Sequence, residues 1–159
     1  MKGERPATYQ RHALNDRFSF LTHRINSHLQ NVCNPVIAPF NLDLYSSRII
    51  VAIFESGPMK VGELVELMAL PQSTMSHQLK RLERHGYVLR TRSESDNRTV
   101  VITLTEHGKA IAARCNQLSD IVMASVAGAL SDEELATLTS LLKRVFNALP
   151  KEGDIAPLD

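Results

Sequence analysis

Apolar residues along this chain recur mostly at helical spacing, and only one stretch alternates as a strand does. Phe18, Leu21, Ile25, Leu29, Val32 and Val36 repeat every three or four positions, which predicts a long first helix opened by Asn15 or Asp16 and ended by Pro39. A second helix is predicted from about Leu44 to Glu55, capped by Asp43 and stopped at Ser56-Gly57-Pro58. A short third helix carries Val61, Leu64, Val65 and Met68 on its inner face. After the turn Ala69-Leu70, the segment PQSTMSHQLKRLERHG reads as a fourth helix. Pro71 suits its first turn and Gly86 supplies a left-handed stop. YVLRTRS and the β-branched RTVVITLT then read as two strands joined by the turn SESDN. Thr105 can open a fifth helix, on which Ile111, Cys115, Leu118, Val122 and Val126 line up. A capping box from Ser131 to Glu134 opens a sixth, with Leu135, Leu138, Leu142, Val145 and Leu149, stopped by Pro150.

Helix, tight turn, helix and hairpin in that order are the layout of a winged helix-turn-helix. The predicted fold is therefore mainly α with a small β-hairpin wing, the winged helix-turn-helix spanning residues 41–104. The first, fifth and sixth helices each carry an apolar stripe although the winged module is nearly self-sufficient. A helical dimerisation region made of residues 15–40 and 105–150, burying those stripes against a second copy, resolves that excess. A monomer with a helical cap is the competing arrangement. Residues 1–14 read as a flexible or partner-dependent arm and residues 151–159 as a tail.

The fourth helix carries the chain's most specific chemistry. Met75, Leu79 and Leu82 form its buried stripe, and the opposite face presents Ser73, Ser76, His77, Lys80, Arg81 and Arg84. Short polar side chains near the N-terminus, with Thr74 and Gln78 beside them, suit base edges; the cations toward the C-terminus suit phosphates. Net charge over 159 residues is only +1, so no global attraction to nucleic acid follows. Locally the balance differs. Between Gln72 and Arg98, six cations (Lys80, Arg81, Arg84, Arg90, Arg92, Arg98) face three anions (Glu83, Glu94, Asp96), whereas from Ser131 onward three cations face six anions. Positive charge is concentrated on the module that would meet duplex DNA.

The whole order resembles the MarR family, the multiple-antibiotic-resistance type of bacterial transcription regulator. The stretches MKVGELVELMALPQSTMSHQLKRLERHGYVLR and DNRTVVITLTEHGKA carry the resemblance, which covers residues from about 15 to 149. Asp96, Arg98, Leu104, Thr105 and Gly108 fall where the family's wing motif, D-R-R followed by L-T-x-x-G, has its signature residues. Asn97 replaces the first arginine of that motif, and Ser93 the usual acidic start of the turn. The resemblance implies a homodimeric repressor on a pseudo-palindromic double-stranded operator, with the fourth helix in the major groove. It places Arg98 at the minor groove, oriented by Asp96, and it implies release by a small aromatic, phenolic or acyl effector.

The effector cleft implied by the family would be bordered by the first two helices, making Phe18, His23, Arg24, Tyr45 and Arg48 its candidate neighbours. Cys33 lies where some relatives carry a peroxide-sensing thiol, so a redox-responsive regulator stands as an alternative; Cys115 sits on an apolar stripe and reads as core. The six histidines show no metal-ligand spacing, and no Gly-rich phosphate loop or nucleophile elbow is present, so neither a metal, a cofactor nor an enzyme is expected. A winged-helix architectural protein without sequence preference is the rival of a different class. No apolar run approaches a membrane span and the first 15 residues lack a signal-peptide core, which predicts a cytoplasmic protein.

Overall fold

The computed structural model describes residues 13–92, 99–150 and 153–155. Contacts divide the chain into two compact units, Met1–Asn116 and Gln117–Asp159. The elements are α1 (Phe18–Ile37), α2 (Leu44–Ser56), β1 (Met59–Lys60), α3 (Val61–Met68), α4 (Gln72–Arg84), β2 (Val88–Arg92), β3 (Val100–Leu104), α5 (Glu106–Ala127) and α6 (Asp132–Ala148). Helix α5 begins in the first unit and ends in the second.

Helix α1 starts later than its sequence suggests. Leu14–Asp16 winds into a 3-10 turn, so Asn15 and Asp16 are spent there and Arg17 precedes the helix without a side-chain cap. Pro35 lies inside α1, and a second 3-10 turn at Ala38–Phe40, with Pro39 in its first positions, closes that helix before Asn41 turns left-handed. Asp43 then caps α2 as expected. Its Oδ1 accepts from the Ser46 amide at 2.8 Å while Ser46 Oγ accepts from the Asp43 amide at 2.9 Å, a reciprocal box that satisfies two otherwise orphaned donors.

The core of the first unit is built around the predicted stripe of α4 and Leu64 of the predicted inner face of α3. Leu64, Met75, Leu79 and Leu82 are fully buried, together with Ile49 and Ile50 of α2 and Ile102 of β3. Helix α4 ends as its sequence requires. Gly86, at φ +72°, donates to Glu83 O at 2.9 Å while Tyr87 N reaches Leu82 O at 3.0 Å, a Schellman closure that only a left-handed residue permits cheaply.

The sheet holds one strand more than the hairpin. Order is β1-β3-β2, all antiparallel, with Met59 opposite Ile102 and Val88 opposite Leu104. Two residues are too few to show a period, which is why β1 is absent from the sequence pattern. In the second unit, Ser131 and Glu134 form the predicted capping box, Ser131 N donating to Glu134 Oε2 at 2.8 Å. No residue of α6 is buried. Among the described residues, no single helix is long and apolar enough to cross a membrane.

Candidate nucleic-acid interface

Helix α4 is held from beneath by Met75, Leu79 and Leu82, which leaves the rest of its surface outward. Ser73, Thr74, His77, Lys80 and Arg84 are exposed; Ser76 and Gln78 are half-buried. The first helical bond runs from Met75 N to Pro71 O, and no side chain caps the amides before it. A helix N-terminus of that kind favours anions, so phosphate and the acceptors of base edges are both suited to this end.

The two central arginines lie elsewhere than expected. Arg81 does not extend to solvent as a phosphate clamp: its Nη2 donates to Asp43 Oδ2 at 2.8 Å and to Ser46 Oγ at 2.8 Å. The carboxylate is available to it because the cap of α2 uses only the other oxygen. Burial pushes the Asp43 carboxyl up, but the Ser46 amide, Arg81 and the Ser46 hydroxyl together hold it below its ordinary value. Arg90 of β2 is likewise turned inward. It lies along α4 with Nη2 on Ser76 O at 3.4 Å and Nε 3.4 Å from Glu83 Oε2, which ties the hairpin to the helix. Lys80, Arg84 and Arg92 therefore remain the exposed cations of this surface among the described residues. Asp96 and Arg98 fall outside those residues.

Behind the hairpin, Thr105 and Gly108 explain why a Thr-x-x-Gly spacing belongs here. Thr105 Oγ1 donates to Gly86 O at 2.6 Å and accepts from the Gly108 amide at 2.8 Å, while Thr105 N donates to Tyr87 O at 3.0 Å. A Cβ at position 108 would stand 1.9 Å from the Tyr87 carbonyl oxygen, so only glycine lets α5 approach so closely. Tyr87 is pinned at its other end, its hydroxyl donating to Phe40 O at 2.8 Å. Burial and, behind it, the negative charge that Cys115 would carry if ionised push its phenol up. The end of α4, the start of β2 and the start of α5 thus meet at one joint. Sequence reasoning missed Asp43, Ser46 and Glu83 as partners of this surface, because each pairs with a residue distant along the chain or on another element.

The residues expected to border an effector cleft lie on α1 and α2. Phe18, His23, Arg24 and Arg48 are exposed, and half-buried Tyr45 accepts from Asn26 Nδ2 at 3.4 Å. A cleft of about 350 Å³ lies among Ile53, Phe54, Gly57, Pro58, Thr103, Leu104 and Lys109, with Lys109 paired to Glu106. Cys33 is 2% exposed and Cys115 4%. Burial pushes the Cys115 thiol up to about 11, so it stays protonated near neutral pH.

Known proteins agree with this architecture. The MarR family model matches residues 46–100. The regulator MgrA of Staphylococcus aureus is 33% identical over 115 residues, covering 72% of this chain and 77% of its own. An organic hydroperoxide resistance transcriptional regulator of Bacillus subtilis is 25% identical over 140 residues, 88% of this chain and 94% of its own. A mutant of Escherichia coli MarR complexed with operator DNA superposes with a TM-score of 0.70 at 25% identity, over 88% of this chain and all of that one. S. aureus MepR in its DNA-binding conformation gives 0.78 at 18% identity, over 84% and 99%. With an uncapped polar helix facing outward, a hairpin fixed beside it and relatives of this similarity, the chain belongs to the MarR family of DNA-binding transcription regulators and is not an enzyme.

Proposed function

We propose that the protein is a cytoplasmic homodimeric repressor that reads a pseudo-palindromic operator and is released by a small aromatic, phenolic or acyl ligand. The observation that carries the dimer is an excess of uncovered apolar surface on two helices. In α1, Phe18, Leu21, Ile25, Val32 and Val36 are 42–61% exposed; along α6 to its C-cap, Leu138, Leu142, Phe146 and Leu149 are 39–58% exposed. Apolar stripes of this length are costly in water and are commonly covered by a second copy. Residues 15–40 and 105–150 would supply that covering, and residues 41–104 the DNA-binding part. On DNA, Ser73, Thr74, Ser76, His77 and Gln78 would meet base edges, and Lys80, Arg84 and Arg92 phosphates. Arg98 would reach the minor groove with Asp96 beside it, as the family resemblance implies. Two copies then match two half-sites about 34 Å apart.

Selection of bound duplexes from a random pool, combined with sedimentation, tests this. Enrichment of two-fold-symmetric sites by a species of twice the chain mass is the expected result. A monomer, or enrichment of single half-sites without symmetry, would reject the dimeric reading, and no enrichment at all would favour an architectural protein.

Redox control through Cys33 is the second reading, favoured by the name of the B. subtilis relative and opposed by the burial of the thiol. Release of the wild type by mild peroxide, with retention of a Cys33→Ser, Cys115→Ser double variant, would establish it over the ligand.

A further inference from the structure

Three helices meet at the first turn of α2. Leu44 N donates to Asn34 Oδ1 of α1 at 2.9 Å, Asp43 Oδ1 caps the Ser46 amide, and Asp43 Oδ2 receives Arg81 of α4 at 2.8 Å. Ser46, fully buried, has no hydrogen-bonding capacity to spare. Its hydroxyl donates to Asp43 Oδ1 at 2.9 Å and accepts from both the Asp43 amide and Arg81 Nη2, which uses its one proton and two lone pairs. The carboxylate is thereby divided, one oxygen for the cap of α2 and the other for α4.

We propose that Asp43, Ser46 and Arg81 are positioning residues for operator recognition, fixing the tilt of α4 against α2, and that Arg81 contributes no phosphate contact. The leverage is large. Ser73 lies about 12 Å along the helix axis from Arg81, so a tilt of about 5° at the anchor displaces the base-reading end by about 1 Å, enough to break a hydrogen bond there. The pairing also accounts for an acidic residue beside a DNA-binding helix, where long-range electrostatics alone would disfavour it. The inference rests on α4 being the helix that reads the operator. A wild-type protein with no preference for any selected duplex over random DNA would remove that premise by itself, before any variant is measured.

Asp43→Asn is the decisive variant, because asparagine still caps a helix while losing the charge that holds Arg81. Titrations of a selected operator and of random DNA at several salt concentrations should show its operator affinity down about tenfold, with random DNA within about twofold. Simple removal of an anion would instead strengthen both. Arg81→Gln should lower the operator-to-random ratio to the same extent without altering the slope of log affinity against log salt. The double variant should be no worse than either single one, and Arg81→Lys should recover part of the ratio. Thermal unfolding confirms that each variant is folded at the assay temperature; if Arg81→Gln is not, Asp43→Asn carries the test. Operator binding by Asp43→Asn as tight as wild type, or a slope flattened by about one unit in Arg81→Gln, would overturn the proposal.

Discussion

Replacing Gly108 with alanine is expected to destabilise the first unit, although alanine is the better helix former. The added Cβ would lie 1.9 Å from Tyr87 O, 2.9 Å from Tyr87 C and 3.1 Å from Tyr87 Cα, where ordinary contact begins near 3.4 Å. All three atoms are backbone, so no side chain can swing aside. Relief requires the first turn of α5 to retreat by roughly 1 Å or more. That movement stretches the Thr105 bonds to Gly86 O and Tyr87 O, which stand at 2.6 and 3.0 Å. Overpacking of this kind costs about 1–3 kcal/mol, two weakened hydrogen bonds add about 1 kcal/mol each, and the propensity gain of alanine over glycine returns about 1 kcal/mol. A net loss of about 2–4 kcal/mol follows. Gly62, in α3, is the internal control: nothing lies within 4 Å of its Cβ position and its φ is not left-handed, so Gly62→Ala should gain about 0.5–1 kcal/mol. Urea unfolding of both variants, read at unchanged m-value, makes the comparison. A Gly108→Ala protein as stable as wild type, beside a Gly62→Ala protein that behaves as stated, would refute the close approach of α5 to Tyr87.

Ala69 adopts φ +48° in the turn between α3 and α4, so Ala69→Gly should raise stability by about 0.5–1 kcal/mol in the same assay; a loss would show that the turn is unstrained. Because the folded state holds Asp43 below its ordinary value, the charge stabilises the fold above about pH 4 and that share is lost as pH falls through the depressed value. The stability gap between wild type and Asp43→Asn should accordingly be full at neutral pH and close in acid; a gap independent of pH would contradict it. Thiol labelling of the native protein at neutral pH should be slow at both Cys33 and Cys115 and become fast on unfolding, since burial shields both and keeps Cys115 protonated. Rapid labelling of native Cys33 would reopen the redox reading.

What the sequence made legible is what depends on neighbours a few positions apart. Met75, Leu79 and Leu82 are one stripe by spacing alone, and all three are fully buried. Gly86 and the Ser131–Glu134 box announce helix ends for reasons confined to a single turn. Arg81 shows where that reach stops. Periodicity places it on the polar face beside Lys80 and Arg84, yet it lies at the edge of that face, where a long side chain can turn either to solvent or to a partner. Its partner is Asp43, 38 positions upstream, and nothing local encodes the pairing. The wing motif has the same character. Thr105 and Gly108 could be matched by position, but their purpose depends on the Gly86 and Tyr87 carbonyls, which belong to the turn after another helix.

Helix α1 poses the sharper case, because its stripe was legible and its direction was not. Phe18, Leu21, Ile25, Val32 and Val36 repeat at helical spacing, and a stripe on a single helix ordinarily predicts its core side. In the first unit the core side is instead supplied by Cys33 and Ile37, four residues apart, both 2% exposed, while the longer stripe faces outward. A helix apolar on two sides cannot satisfy both within one small unit. Cys33 and Ile37, with Asn34 holding the Leu44 amide, commit one side to α2; the other is left with several exposed large side chains. Burial of a full Leu, Ile, Val or Phe side chain is worth about 1.5–3 kcal/mol, and these five are about half exposed, so covering the whole stripe would contribute about 4–7 kcal/mol, comparable to the stability of a small domain. That surplus is the physical reason to expect a second copy against α1, and it ties the covered helix through Asn34 to the same turn of α2 that holds Arg81.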